Sequence, residues 1–287
     1  AKRKEKGSAP PTDATIGPPT DVSADALSPK DALPEDTVSS YDIVEPPFYG
    51  TSDILHWDSR MLLEKCNTQT LFKGYWRGGT LSEEEYSQAC RGEFEPALEL
   101  LGKRIIEEEL VQARGMYGFF PVFTRGETVY LLDPADFNTE LASFRFPFVR
   151  DGAKRGPVDY IRPIGDVLAV QIVTIGRKLG ERVHSSFASE GQYSLGFFLN
   201  QLGSYLAEEC ARRITREIRR ALSIPDERGK RYSFGYPGMP PVNEQAKLFE
   251  IMAIEERLDI SLTPGFQMDP EHSTLGVFIH NRNARYL

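Results

Sequence analysis

Residues 231–240, RYSFGYPGMP, carry the chemistry most worth reading in this chain. Arg231 offers a guanidinium, a planar fork of donors that grips a carboxylate through two parallel hydrogen bonds. Gly235 lets backbone approach a bound molecule closely, and Pro237 and Pro240 fix φ and remove donors. The spacing predicts a rigid clamp, rich in backbone groups, for a small molecule with a carboxylate. The competing reading of the same residues is an ordinary loop between two helices.

Other chemistries find no support. There is no glycine-rich dinucleotide fingerprint after a strand, no phosphate loop, no zinc-protease helix motif and no nucleophile elbow. His56, His184, His272 and His280 are scattered and pair with no cysteine at metal spacing, so no metal site is expected. His272 and His280 flank the last expected strand and read as surface or packing residues. No corrinoid-ligand histidine motif occurs either, so the chain is not expected to hold a corrinoid alone.

The clamp must be positioned by flanking elements. A helix is expected after Ser52 as N-cap, with Ile54, Trp57, Met61 and Leu62 at helical spacing. Ser82 and Glu85 make a capping box, and a helix is expected from about Phe94 to Glu109. Met116 to Phe123 and Thr128 to Leu132 read as a hairpin, and Phe144 to Val149 as a strand. Asp166 to Ile175 reads as a buried central strand. Helices follow over Lys178 to Ser189 and Gln192 to Leu222, the latter with a break risk at Gly203. Asn243 opens another helix, and Leu258 to Leu262 and Thr274 to His280 close the chain as strands. The order fits α+β with a largely antiparallel sheet better than regular βαβ alternation.

Composition bounds the partners. The formal net charge of −8 argues against non-specific nucleic-acid binding. No run of about 18 apolar residues offers a membrane span. Cys66, Cys90 and Cys210 read as reduced thiols, and Ala1 to Gly7 is basic without an apolar stretch after it, so a cytoplasmic protein is expected. Residues 1–40 hold six prolines and no aromatic residue, the composition of a flexible linker. The chain opens on Ala1 rather than Met, which suggests a piece of a longer polypeptide or a trimmed one.

The segment Arg231-x-x-x-Gly235-Tyr236-Pro237-x-x-Pro240, followed by Lys247, resembles the activation (reactivation) domain of cobalamin-dependent methionine synthase. The similarity continues through residues 260–263, 266–268 and 283–286, and upstream through residues 46–50, 71–72, 115–121, 144–147, 159–160 and 173–174. The resemblance implies a C-shaped α+β domain over residues 41–287 that binds S-adenosylmethionine without a Rossmann fold. It implies a role in methionine biosynthesis, as part of a methyltransferase. There, one electron from flavodoxin or another reductase and the sulfonium methyl return cob(II)alamin, held by another module, to methylcobalamin.

The resemblance also implies site residues. Arg231 takes the ligand carboxylate, backbone near Ser233 and Gly235 bonds the adenine and methionine moieties, and Tyr236 lines the methyl-transfer face. An aromatic face attracts a cation by about 0.5–2 kcal/mol; the competing role for Tyr236 is packing on the sheet. Glu208 matches the family's ligand glutamate, although the helical wheel brings Glu209 nearer the apolar stripe. Tyr286 matches a C-terminal ligand tyrosine, or else anchors the last strand. Asn67 stands where some members have an aspartate that contacts the ligand; it still accepts a hydrogen bond from an ammonium, without the charge.

Arg212, Arg213, Arg216, Arg219 and Arg220 form one charged face of the long helix. That face is either simply solvated or a docking patch for an acidic electron donor or the cobalamin module. Beside the reactivation module stand two other readings: a non-catalytic S-adenosylmethionine sensor or corrinoid-protein docking module, and a domain that kept the fold and lost the ligand.

Overall fold

The structure is a computed structural model that describes residues 44–147, 155–189 and 193–287. The expected linker over residues 1–40, the end of the Phe144 to Val149 strand and the first residue of the Gln192 helix lie outside the described residues.

The centre is β6 (Asp166–Thr174), every residue of which is buried. A strand covered on both faces needs apolar side chains in both alternating sets. Val167, Ala169 and Val173 join one core, and Leu168, Val170 and Ile172 join the other. β6 lies between β3 (Ala113–Arg125) and β10 (Ser273–Ile279), antiparallel to both. The sheet extends from β3 through β4 (Thr128–Leu132) to β5 (Glu140–Arg145), and from β10 to β7 (Lys230–Tyr232). Two short strands, β1 (Gly50–Thr51) and β2 (Leu55–Trp57), also pair with β3. Every strand pair is antiparallel, including the separate hairpin of β8 (Ser261–Leu262) and β9 (Met268–Asp269).

Helices cover the first core: α1 (Ser59–Glu64), α2 (Thr68–Thr70), α3 (Glu83–Ala89), α4 (Glu95–Glu107), α5 (Arg177–Ala188) and α6 (Tyr193–Ala221). The second core is closed by α7 (Gln245–Ile251) and α8 (Ile254–Leu258). α6 runs 29 residues without interruption at Gly203. Buried Gln171 on β6 donates to the Ala211 carbonyl at 3.1 Å and accepts from Thr215 at 3.0 Å, which pins α6 to the central strand.

Four local expectations need correction. No helix starts at Ser52: its hydroxyl accepts from the Tyr117 amide at 3.2 Å, β2 pairs with β3, and the helix begins at Ser59 under an Asp58 cap. The apolar spacing of Ile54, Trp57 and Met61 is shared between the residue before β2, β2 itself and α1. The third strand of the hairpin sheet is Glu140–Arg145, which starts upstream of the expected Phe144 to Val149 and overlaps it only at Phe144 and Arg145. α7 is preceded by a 3-10 turn over Val242–Glu244, so Asn243 lies inside that turn rather than opening the α-helix. Leu258 ends α8, and the strand after it is only two residues long.

Candidate functional site

α6, β7 and the β8–β9 hairpin meet around a cavity of about 1050 Å³. Small-molecule sites are typically clefts of roughly 300–1,000 Å³, so this one stands just above that range. Glu208, Arg231, Ser233, Tyr236 and Tyr286 all line it. Residues more than 20 positions apart thus converge because β10 carries β7 on its free edge, with Phe278 opposite Arg231.

Arg231 does not wait unpaired. Its Nη2 donates to both oxygens of Glu208, at 2.8 and 2.7 Å. The pair is only partly exposed, the arginine side chain at 17% and the glutamate at 35%. Nη1 is buried and has no partner among the described residues. Gly276 on β10 makes room for the arginine stem: a Cβ there would lie 3.0 Å from Arg231 Cγ. Burial, then the neighbouring Glu208 carboxylate, raises the Tyr75 phenol above its ordinary range.

The alternative glutamate has another use. Glu209, on the next position of α6, is gripped by Arg212 at 3.0 Å, Arg213 at 3.3 Å and Arg216 at 3.2 Å. Arg220 pairs with Glu217 at 2.6 Å, and Arg219 donates to the carbonyls of Arg228 and Gly229. The basic face of α6 is therefore tied up in bonds within the chain, although its five arginines share only two carboxylates and the face stays net positive.

Residues 233–240 form a tight loop. The Gly235 amide donates to the Pro240 carbonyl at 2.8 Å, and Met239 to the Tyr236 carbonyl at 2.9 Å. Gly235 has φ +80°, a conformation other residues rarely adopt. Buried Met239 anchors the loop while Tyr236 is 68% exposed at the cavity rim. Gly235 itself is not among the lining residues. Tyr286 packs edge-on against Tyr232 at 5.6 Å, and Tyr232 donates to the Arg285 carbonyl at 2.8 Å. Burial raises the Tyr232 phenol well above its ordinary range.

Asn67 stands apart from these. It does not line the cavity. Its Oδ1 accepts from the Thr70 amide at 2.9 Å, capping α2, and its own amide donates to the Tyr205 hydroxyl at 2.8 Å. Burial pushes that Tyr205 phenol up to about 12.

The sequence reading missed the acidic wall of the cavity. Asp269 and Glu271 line it, and Asp269 bonds Arg177 at 2.6 Å. Gln245 ties the wall to α7 by donating to the Phe266 carbonyl at 2.7 Å. The only signal for these residues was their place between two stretches of family-like sequence.

His272 and His280 are buried packing residues rather than surface ones; His280 Nε2 lies 2.7 Å from an Asp166 oxygen. Among the described residues no cluster of His, Cys, Asp or Glu could hold a metal ion, and no helix is long and apolar enough to cross a membrane.

Comparison with known proteins bears on the fold and the family. The chain is 27% identical to methionine synthase of Mycobacterium tuberculosis (strain ATCC 25618 / H37Rv) over 287 residues, covering 88% of this chain and 24% of that protein. It is 27% identical to the methionine synthase of Mycobacterium leprae (strain TN) over 284 residues, covering 86% and 23%. The chain thus spans about a quarter of the length of the curated relatives it matches. Its fold matches the crystal structure of the MetH reactivation domain bound to AdoHcy with a TM-score of 0.70 at 18% identity, covering 84% of this chain and 82% of that one. The model of the vitamin B12 dependent methionine synthase activation domain matches residues 69–287, and the chain belongs to that family.

Proposed function

We propose that the chain, over residues 41–287, binds S-adenosylmethionine in the cavity beside Arg231 and serves as the reactivation module of a cobalamin-dependent methionine synthase. The observation that carries this reading is the convergence of Glu208, Arg231, Ser233, Tyr236 and Tyr286 on one cavity of ligand size. The solved structural neighbour holds AdoHcy, the demethylated form of that ligand.

The residues divide the work of binding. The ligand carboxylate shares the Arg231 guanidinium with Glu208, and Glu208 then serves as a counter-charge for the ammonium. Ser233 and Gly235 present backbone groups to the nucleoside and methionine moieties. Tyr236 and Tyr286 give aromatic faces at the rim, where a sulfonium is attracted by about 0.5–1 kcal/mol. Asn67 acts indirectly, by capping α2 and holding Tyr205, rather than through the ammonium contact that the family resemblance implies. The 1–40 segment serves as a tether.

The methyl acceptor is the cobalamin of another module. A flavodoxin-like or other reductase would first supply the electron that cob(II)alamin lacks; the sulfonium sulfur would then give up its methyl to the reduced cobalt, keep the electron pair of the broken bond and leave as a neutral thioether. The chain's own contribution is positioning and electrostatics, not proton transfer.

Calorimetric titration with S-adenosylmethionine tests the reading through Arg231→Ala. A charge-assisted bond to a carboxylate contributes about 1.5–3 kcal/mol, so affinity falls roughly 10- to 100-fold or more. The fold survives, because Glu208 is 35% exposed and can be hydrated once its partner is gone. Wild-type affinity in Arg231→Ala, or no binding by the wild type, overturns the reading.

A further inference from the structure

The cavity's charges do not cancel. Among its side chains the lining holds one cation, Arg231, against three carboxylates, Glu208, Asp269 and Glu271. Arg231 neutralises Glu208 at 2.7 Å. Asp269 is neutralised from outside the lining by Arg177 at 2.6 Å. Glu271 makes no ion pair among the described residues. Its neighbour His272 gives no compensation, since burial lowers the pKa of that ring and keeps it neutral. One uncompensated negative side chain, Glu271, therefore stands in the wall.

We propose that Glu271 makes the cavity selective for a net cationic ligand, so that S-adenosylmethionine is preferred over its own demethylated product. The inference rests on the binding function proposed above. S-adenosylmethionine carries a carboxylate, an ammonium and a sulfonium, a net charge of about +1 at neutral pH, as the ordinary pKa values of the first two groups dictate. Loss of the methyl leaves a thioether and a net charge of zero. A wall charge that does not touch the sulfonium still distinguishes the two, because Coulomb attraction acts through space. The same charge favours the sulfonium before transfer and so gives the chemical step nothing. Its effect lies in loading and release: the charged ligand enters a favourable field, and the neutral product loses it.

Glu271 is solvent-exposed, so its effect is screened and modest. The test is calorimetry of the full chain with S-adenosylmethionine and with S-adenosylhomocysteine, comparing wild type, Glu271→Gln and Glu99→Gln. Glu99 is an exposed residue of α4 outside the cavity lining and controls for the change in net charge. Glu271→Gln weakens S-adenosylmethionine by about two- to fivefold at roughly 0.05 M salt, leaves S-adenosylhomocysteine unchanged, and loses most of this difference at roughly 0.5 M. Glu99→Gln changes neither. Equal losses for the two ligands, no loss for either, or the same selectivity change in Glu99→Gln overturns the inference while leaving the binding function in place. A wild-type chain that binds neither ligand is a different result, visible before any variant is made, and it removes both.

Discussion

His272 shows how a single side chain behind the cavity wall couples the fold to pH. It is 3% exposed, and its Nε2 sits 3.1 Å from the Asn200 carbonyl and 2.9 Å from that residue's side-chain oxygen. Two acceptors require the proton on Nε2, which leaves a buried Nδ1 without a partner among the described residues. Protonating that atom would bury a charge with nothing to receive it, so burial lowers the pKa below its ordinary value. The unfolded chain, with histidine near about 6.5, then takes up the proton first. Stability from this residue is complete above about pH 6.5 and falls as the pH drops toward the lowered folded value. Thermal melts between about pH 8 and pH 5 should show a steeper loss for the wild type than for His272→Gln; parallel curves would refute the assignment. At this scale the sequence was readable where a residue's neighbours in the chain define its role. Arg231 and Tyr236 lay inside a motif, and both reach the cavity. Glu208 could not be told from Glu209 by helical phase, because three arginines bind Glu209 whatever its angle to the apolar stripe. Asn67 has a local use that its sequence position does not reveal: its oxygen caps α2, and a cap is as good a use for asparagine as a ligand contact.

The elements were legible in proportion to how much of their pattern was their own. β6 announced itself because both faces are buried and both must be apolar. α6 was legible as a long amphipathic helix, but Gly203 suggested a break, and packing gives the actual reason for it. A Cβ at Gly203 would lie 2.7 Å from His272 Cδ2 and 2.7 Å from Leu179 Cδ2. The glycine lets α6 approach the loop before β10 and α5 more closely than any other residue would. Gly203→Ala therefore sets two effects against each other. Alanine gains about 1 kcal/mol of helix propensity, while overpacking a dense core costs about 1–3 kcal/mol. The leucine methyl can move; the buried imidazole, held by Asn200, has little freedom to do so. A net destabilisation of about 1 kcal/mol is expected from urea unfolding, and a stabilised variant would show that the ring yields after all. β1 and β2 were unreadable because their order comes from β3, a partner some 60 residues away: Gly50 faces Phe119 and Leu55 faces Gly115. No helical or alternating period in two- and three-residue strands can reveal such a pairing.

For the molecule as a whole, binding and turnover should separate. The cavity is built entirely from this chain: α6 supplies Glu208, β7 supplies Arg231, and the β8–β9 hairpin and its continuation supply Asp269 and Glu271. Ligand binding is therefore expected of this chain by itself. Methyl transfer needs more on the reading proposed above, since its acceptor is the cobalamin of another module and the chain spans about a quarter of its methionine synthase relatives. Added to labelled S-adenosylmethionine and a reductant alone, the chain should bind label and transfer none. Addition of a cobalamin-loaded module should start transfer at a rate that rises with module concentration until the two partners saturate. Tethering the two should replace that dependence by an effective concentration set by linker length, in the mM range for short flexible linkers. Arg231→Ala should suppress transfer in both arrangements by weakening ligand binding. Its loss should be recoverable in part by raising S-adenosylmethionine, because positioning is impaired rather than a reactive group removed. Binding that persists with no transfer under any of these conditions would make the chain a sensor rather than a reactivation module. The aromatic rim around Tyr236 and Tyr286 would then need a partner other than cobalamin.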